Sequence, residues 1–150
     1  MTASVPKAGA SRTALNVIWV LFGGLELALV WFIAGLVFFV FIVTIPFGIQ
    51  AMKMANFTLW PFGRGLVKRA DRGRVSSGIG NLVWLLVAGI WLAAGHLFAA
   101  LICAITIIGI PLALAHLKIA KASLGPFGKV VVRLADLPHA EQHMVEVSLG

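Results

Sequence analysis

Two long apolar runs, separated and flanked by short polar segments, dominate this chain. From Thr13 to Met52 the only charged residue is Glu26, and from Val75 to Leu117 no residue is charged. A helix needs about 20 apolar residues to cross a bilayer, so each run is long enough for one long tilted helix or for a tight two-legged hairpin. The pattern therefore predicts an all-α, polytopic integral membrane protein.

The second run repeats the first at a constant offset of 65 residues. The identical pairs, given as first and second copy, are Asn16 and Asn81, Trp19 and Trp84, Pro46 and Pro111, Lys53 and Lys118, Pro61 and Pro126, and Gly63 and Gly128. Rare residue types that recur at one spacing indicate an internal duplication. Each copy is therefore predicted to form one structural unit, with these prolines and glycines as its structural motif.

The duplication divides the chain into an N-terminal tail (1–14), a first repeat (15–64), a basic linker (65–79), a second repeat (80–133) and a C-terminal tail (134–150). Within each repeat we predict an apolar hairpin or one long helix, a break at Ile-Pro and then an amphipathic helix that ends at Pro-Phe-Gly. Proline suits the first turn of a new helix. In the first copy, Gln50, Lys53 and Asn56 are spaced by three and share one helix face. Such a helix is predicted to lie at the headgroup region.

The order of these motifs, Asn-x-x-Trp, apolar run, Ile-Pro, Lys and Pro-Phe-Gly in two copies, resembles the YccF family of bacterial inner-membrane proteins. The resemblance covers Leu15 to Arg133. It implies a membrane-embedded domain that can occur in more than one copy, and a location in the bacterial inner membrane. It supplies no catalytic residues.

Charge predicts the orientation in the membrane. Only 11% of the residues are charged and the mean hydropathy is +1.03, whereas about a quarter of the residues are charged in a soluble domain. Every flank is positive: Lys7 and Arg12 precede the first run, five cations lie within 64–74, and four cations within 118–133 follow the second run. The positive-inside rule then places all flanks, and both termini, in the cytoplasm and predicts two parallel hairpins. Two single spans in inverted orientation are the alternative.

Cations beside the apolar runs are candidate lipid ligands. The predicted interfacial set is Lys53, Arg64, Lys118, Lys121 and Lys129. A cationic cluster next to a membrane gains about 1 kcal/mol per residue from anionic lipid. The predicted partner is therefore the bilayer with its anionic headgroups, and no nucleic acid is expected.

Polar residues inside the apolar runs are candidates for a conduit: Glu26, His96, Asn16 and Asn81. An intramembrane carboxylate suggests function. Glu26 could line a path, pair with His96 or touch the interface, and its repeat partner Trp91 favours the interface. All five tryptophans are predicted to be interface anchors. No metal site is expected, since His139, Glu141 and His143 lie in an unconstrained tail.

The function predicted from these features is a small oligomeric channel or transporter-like protein, built as a homo-oligomer. The alternative is a non-catalytic membrane scaffold or accessory subunit that uses a cationic cytoplasmic face for lipid or partner binding. An enzyme is not expected, because the sequence holds neither paired catalytic carboxylates nor a nucleophile motif. No cofactor is predicted.

Overall fold

The computed structural model of the protein describes residues 7–68 and 74–138. Each copy contributes three helices and one strand. The elements in order are α1 (Lys7–Trp19), α2 (Leu25–Phe39), α3 (Ile45–Leu59), β1 (Arg64–Lys68), α4 (Arg74–Trp84), α5 (Ile90–Ala104), α6 (Ile110–Ser123) and β2 (Lys129–Arg133). Helix α1 begins inside the segment predicted as the N-terminal tail, 1–14.

Up to each Ile-Pro break, the chain forms one long helical segment. Helices α1 and α2 fall within Gly9–Phe39 and meet at a kink, and α4 and α5 fall within Ser76–Ala104; both segments are long and apolar enough to cross a membrane. The first bends where Gly23 adopts φ 123°. The tight two-legged hairpin predicted inside each run is therefore wrong. A bend keeps most backbone groups hydrogen-bonded, which a tight turn inside the apolar run would not.

The chain reverses just ahead of each Ile-Pro pair. Pro46 and Pro111 lie in the first turn of α3 and α6, as predicted. Helix α3 packs back along α2, and α6 packs back along α5. Each copy is therefore a helical hairpin whose second leg is the proline-initiated helix. We call the reversals at 40–44 and 105–109 the hairpin tips.

Helix α3 lies inside the protein, so its predicted position along the headgroup region is wrong. Ala51, Met54 and Phe57 have no exposed surface, and Gln50 is also buried. Ile49, in contrast, is 53% exposed. On the predicted polar face, Gln50 is buried and Lys53 half-buried while Asn56 is exposed, so most of this face does not meet headgroups. The Lys53 ammonium finds partners in the other copy, as described below.

Strands β1 and β2 pair antiparallel across the two copies, so the chain is mostly but not entirely α-helical. Leu66 lies opposite Val131, which is its own repeat equivalent at the offset of 65. The strand pair is therefore centred on a pseudo-two-fold axis that relates the copies. The sequence analysis placed the first strand in a basic linker, because neither strand has a pairing partner within its own copy.

Tryptophans form the centre of the core. Trp19, Trp31 and Trp84 are at most 1% exposed, so the prediction that they anchor at the interface is wrong; Trp91 alone is largely exposed, at 72%. The Trp84 ring stacks on the Phe47 ring at 6.1 Å between centroids. Phe47 lies near the tip of the first hairpin, whereas Trp84 lies near the base of the second. The two hairpins therefore lean across each other.

Candidate functional site

The two copies meet at a polar junction, which we define as residues 61–68 and 126–133 together with Asn16, Asn81, Lys53 and Lys118. The Pro-Phe-Gly turns shape it. Gly63 has φ 80° and Gly128 has φ 74°. Side chains with a Cβ rarely adopt this left-handed conformation, which explains why the motif ends in glycine in both copies.

The Asn-x-x-Trp asparagines hold these turns in place. The Asn16 amide donates to the Phe62 carbonyl at 2.9 Å and accepts from the Phe62 N–H at 3.0 Å. Asn81 makes the same two bonds to Phe127, at 3.2 and 2.9 Å. Asn16 is fully buried. The structure thus places both predicted conduit residues as braces between the first helix of a copy and its turn.

The tryptophans of the same motif hold the end of the return helix. The Trp19 indole donates from Nε1 to the Thr58 carbonyl at 2.7 Å, and Trp84 donates to Ser123 at the same distance. The Trp19 ring lies directly over Gly24, where an added Cβ would come within 2.2 Å of Nε1. The indole therefore needs a glycine at the bend, and the repeat retains one in both copies.

Two lysines cross between the copies. Lys53 Nζ donates to the Lys129 carbonyl at 2.9 Å and also to the carbonyl of Pro126. Lys118 Nζ donates to the Pro61 carbonyl at 3.0 Å and also to the carbonyl of Arg64. Each ammonium thus binds the turn and strand of the other copy. Of the predicted interfacial cations, these two point into the protein.

The remaining junction cations gather in two groups. Arg64 lies opposite Arg133 in the strand pair, and we call these two the arginine cluster. Lys68 lies opposite Lys129, and with Lys121 they form the lysine cluster. The two clusters occupy repeat-equivalent positions. Of the other predicted linker cations, Arg69 and Arg72 lie outside the described residues.

In each cluster, burial and neighbouring cations lower the pKa of one member. Burial, followed by the charge of Arg133, lowers the pKa of the Arg64 guanidinium. Burial, followed by the charges of Lys68 and Lys121, lowers the pKa of Lys129. Across the described ranges, 7–68 and 74–138, the sequence contains only two acids, Glu26 and Asp136. Like charges placed opposite each other in a strand pair are destabilising unless an anion lies between them.

The histidines form a pair that the sequence analysis missed. His96 Nδ1 and His116 Nδ1 are 3.1 Å apart, and both side chains are buried. Glu26 is exposed; His96 has the other histidine as its partner, so the pairing of Glu26 with His96 is wrong. Only the packing of α6 on α5 brings together histidines 20 positions apart.

A metal centre is not evident in the part of the chain that the structure describes, where no group of three or more His, Cys, Asp or Glu side chains converges. A buried histidine pair without further ligands is more consistent with a hydrogen bond in which one ring donates and the other accepts. The tail residues His139, Glu141 and His143 lie outside the described ranges.

Comparisons with known proteins give one consistent result. Residues 14–64 and 79–129 each match the YccF model, an inner membrane component domain. The "Inner membrane protein YccF" of Escherichia coli (strain K12) is 31% identical over 139 residues, which is 87% of this chain and 94% of that protein. The protein of the same name from Shigella flexneri gives the same values. No solved structure gives a significant match.

Proposed function

The chain belongs to the YccF family of inner membrane proteins, and from that premise we propose that it is a non-catalytic membrane scaffold whose cationic junction faces the cytoplasm and binds anionic lipid. The observation that carries this proposal is the pairing of cation with cation at both ends of the β1–β2 pair. Such pairing is unfavourable without an anion. The neighbouring inner leaflet is rich in anionic headgroups that can supply one.

The orientation follows from where each copy begins and ends. The hydrogen bonds between Asn16 and Phe62 hold the start of the first long helix beside the end of its hairpin. Arg12 lies there too, since a Cβ on Gly63 would come within 3.2 Å of its Cδ. The positive flanks of one copy therefore share one side, and the positive-inside rule makes that side cytoplasmic. This favours two hairpins that enter and return over two inverted single spans.

The hairpin tips have a composition suited to the hydrocarbon. Ile42, Val43 and Ile107 are each more than 80% exposed. Helix α3 has 15 residues and is about 22 Å long at 1.5 Å per residue, which is less than the hydrocarbon thickness of about 30 Å. We expect this shorter return helix, and not the longer α1–α2 segment, to set the depth of the tip and to keep it within the bilayer.

Backbone groups inside a bilayer need internal partners, and the tips provide them. The Thr44 hydroxyl donates to the Phe41 carbonyl at 2.9 Å. In the second copy the Thr106 hydroxyl donates to the Cys103 carbonyl at 3.2 Å and accepts from the Gly109 N–H at 3.0 Å. The two threonines occupy different repeat positions yet serve the same purpose, which supports a tip embedded in lipid.

Cysteine labelling in cells tests this orientation. In a Cys103→Ala background, which removes the only native cysteine, Lys68→Cys reports on the junction and Val43→Cys on a tip. A membrane-impermeant maleimide should label Lys68→Cys in inverted vesicles but not in spheroplasts, and should label Val43→Cys in neither until detergent is added. Labelling of Lys68→Cys in spheroplasts would overturn the cytoplasmic junction, and labelling of Val43→Cys there would place the tip in the periplasm.

An oligomeric channel is the second candidate, and Glu26 favours it. The carboxylate is exposed on a helix whose neighbours Phe22 and Leu29 are also exposed, at 74% and 49%. A carboxylate facing lipid is costly, and a ring of Glu26 side chains from several copies around water would shelter it. Ion flux in liposomes tests this directly: Glu26→Gln should change ion selectivity with little effect on stability. No flux from wild-type protein would remove the channel.

A further inference from the structure

A groove between α2 and α3 opens beside the arginine cluster. Its walls are apolar side chains of both helices, its volume is about 490 Å³, and Arg64 and Asn56 close one end. Ala28 and Ala55 line the groove and are at most 8% exposed. They therefore form its buried bottom, and their small side chains leave the groove its volume. Phe32, at its edge, is 45% exposed, so the groove opens toward the outer, apolar face of the hairpin.

A second, polar cavity adjoins the groove. It has a volume of about 200 Å³ and is lined by Asn56, Arg64, Arg133 and two valines of β2. The two cavities share Asn56 and Arg64, so the apolar groove lies beside the arginine cluster. The Arg64 guanidinium is held in place there, because its Nη1 donates to Asn56 Oδ1 at 2.7 Å.

We propose that this composite site binds one anionic glycerophospholipid, with the phosphate between Arg64 and Arg133 and one acyl chain in the α2–α3 groove. The inference rests on the proposed lipid-binding junction and assigns it a defined ligand and position. Arginine suits this role because its planar guanidinium donates two parallel hydrogen bonds to a phosphate.

The charge and the shape of the composite site together favour a phospholipid over other anionic ligands. The guanidinium groups of Arg64 and Arg133 carry the same charge and lie opposite each other in the strand pair, and the described residues include few acids. An anion between the two groups removes their repulsion. A free phosphate would satisfy the arginines but leave the apolar groove empty. An acidic protein segment would satisfy them too, yet the groove opens on the face that the bilayer covers. A lipid supplies the anion and the apolar chain in one molecule.

The second copy provides a matched control. Arg133 has Lys68 as its repeat equivalent, and both are exposed cations at the end of a strand in the same sheet. Arg133→Gln and Lys68→Gln therefore remove the same charge from equivalent places, but only the first touches the polar cavity. Any difference between the two variants reports on the site and not on net charge.

Native mass spectrometry of the detergent-solubilised full chain with added phosphatidylglycerol tests the proposal. Wild-type protein should retain one phosphatidylglycerol per chain, and Arg133→Gln should weaken that binding about tenfold, as the loss of one charged hydrogen bond would. Lys68→Gln should bind as wild type does. Equal weakening by both variants would overturn the defined site while leaving a diffuse cationic surface intact. A junction shown by labelling to face the periplasm would instead reject the proposed orientation without affecting this binding measurement.

The acyl groove has its own test. Glycerol phosphate, which lacks acyl chains, should compete poorly with phosphatidylglycerol, and Ala28→Leu should reduce phosphatidylglycerol binding by filling the groove floor. Circular dichroism and the unfolding midpoint verify that Ala28→Leu is folded. Equal competition by glycerol phosphate shows that only a phosphate is recognised, and it would overturn the acyl-chain assignment even if that variant failed to fold.

Discussion

Asn16 and Asn81 hold the Pro-Phe-Gly turns through two hydrogen bonds each. The side-chain amide donates to the backbone carbonyl of the turn's phenylalanine and accepts from its N–H. These bonds span 46 positions in the chain, so they fix the start of each copy to its end. Asn16 is fully buried, so water cannot replace its lost partner, whereas Asn81 is half-buried. At the scale of single residues, therefore, the repeated polar residues within the apolar runs stabilise the fold.

Asn16→Ala is expected to lower the free energy of unfolding by about 1–3 kcal/mol, because both Phe62 groups lose their partner. Asn81→Ala should behave in the same way at Phe127. Denaturant unfolding in detergent micelles measures the loss, with Thr13→Ala as the control because Thr13 is exposed on the same helix. If Asn16→Ala unfolds at the same denaturant concentration as Thr13→Ala, the brace contributes nothing to stability.

Gly24 permits the tryptophan contact at the bend. Gly24→Ala should destabilise the protein by about 1–3 kcal/mol, because the new methyl group displaces the Trp19 ring from its place over the bend. Gly95→Ala is the matched control, since an added Cβ there meets nothing within 4 Å. Thermal unfolding followed by tryptophan fluorescence compares the two variants. Equal midpoints would show that the close approach at Gly24 relaxes without loss.

Helices α3 and α6 connect the copies as well as completing their own hairpins. Each carries one lysine into the turn of the opposite copy. Because the exchange is reciprocal, neither hairpin has its polar groups satisfied alone. Helices α3 and α6, predicted as amphipathic helices at the membrane surface, therefore join the two halves alongside the strand pair.

Lys53→Met and Lys118→Met should each lower the free energy of unfolding by about 1–3 kcal/mol, because each leaves carbonyl groups of the opposite copy without their donor. Lys121→Met is the control, since Lys121 lies on α6 three positions from Lys118 but is exposed. The double variant measures coupling between the two contacts. If Lys53→Met and Lys118→Met are as stable as Lys121→Met, the lysine contacts between the copies do not stabilise the protein.

The whole molecule is a pseudo-symmetric dimer of hairpins within one chain. The strand pair, the lysine exchange and the rings around Trp84 all join the two copies. The residues that make these contacts all lie outside 69–73.

Separate chains covering 1–70 and 71–150, expressed together, should assemble and co-purify in mild detergent, because contacts outside the linker hold the copies together. A tag on one half and immunodetection of the other measure this. Pairs that also carry Lys53→Met and Lys118→Met should co-purify less. Halves that never associate would show that the linker is needed for assembly.

The repeat, the helix starts at Pro46 and Pro111, and the glycine turns at Gly63 and Gly128 could all be predicted from the sequence. Each of these is a local property. Proline restricts φ to values that suit a first helical turn, and glycine alone readily reaches positive φ. The long apolar runs likewise identified the two candidate membrane-crossing helices, because hydrophobic length is read directly from composition.

Only the tertiary structure decided the direction of each polar side chain and the existence of the sheet. Asn16 and Trp19 bind partners 46 and 39 positions away, and Lys53 binds a carbonyl 76 positions away. A periodic pattern reveals which residues share a helix face, but not whether that face meets lipid or another part of the chain. Each strand also depends on its partner from the other copy, because a five-residue strand alone has no neighbouring strand to hydrogen-bond with.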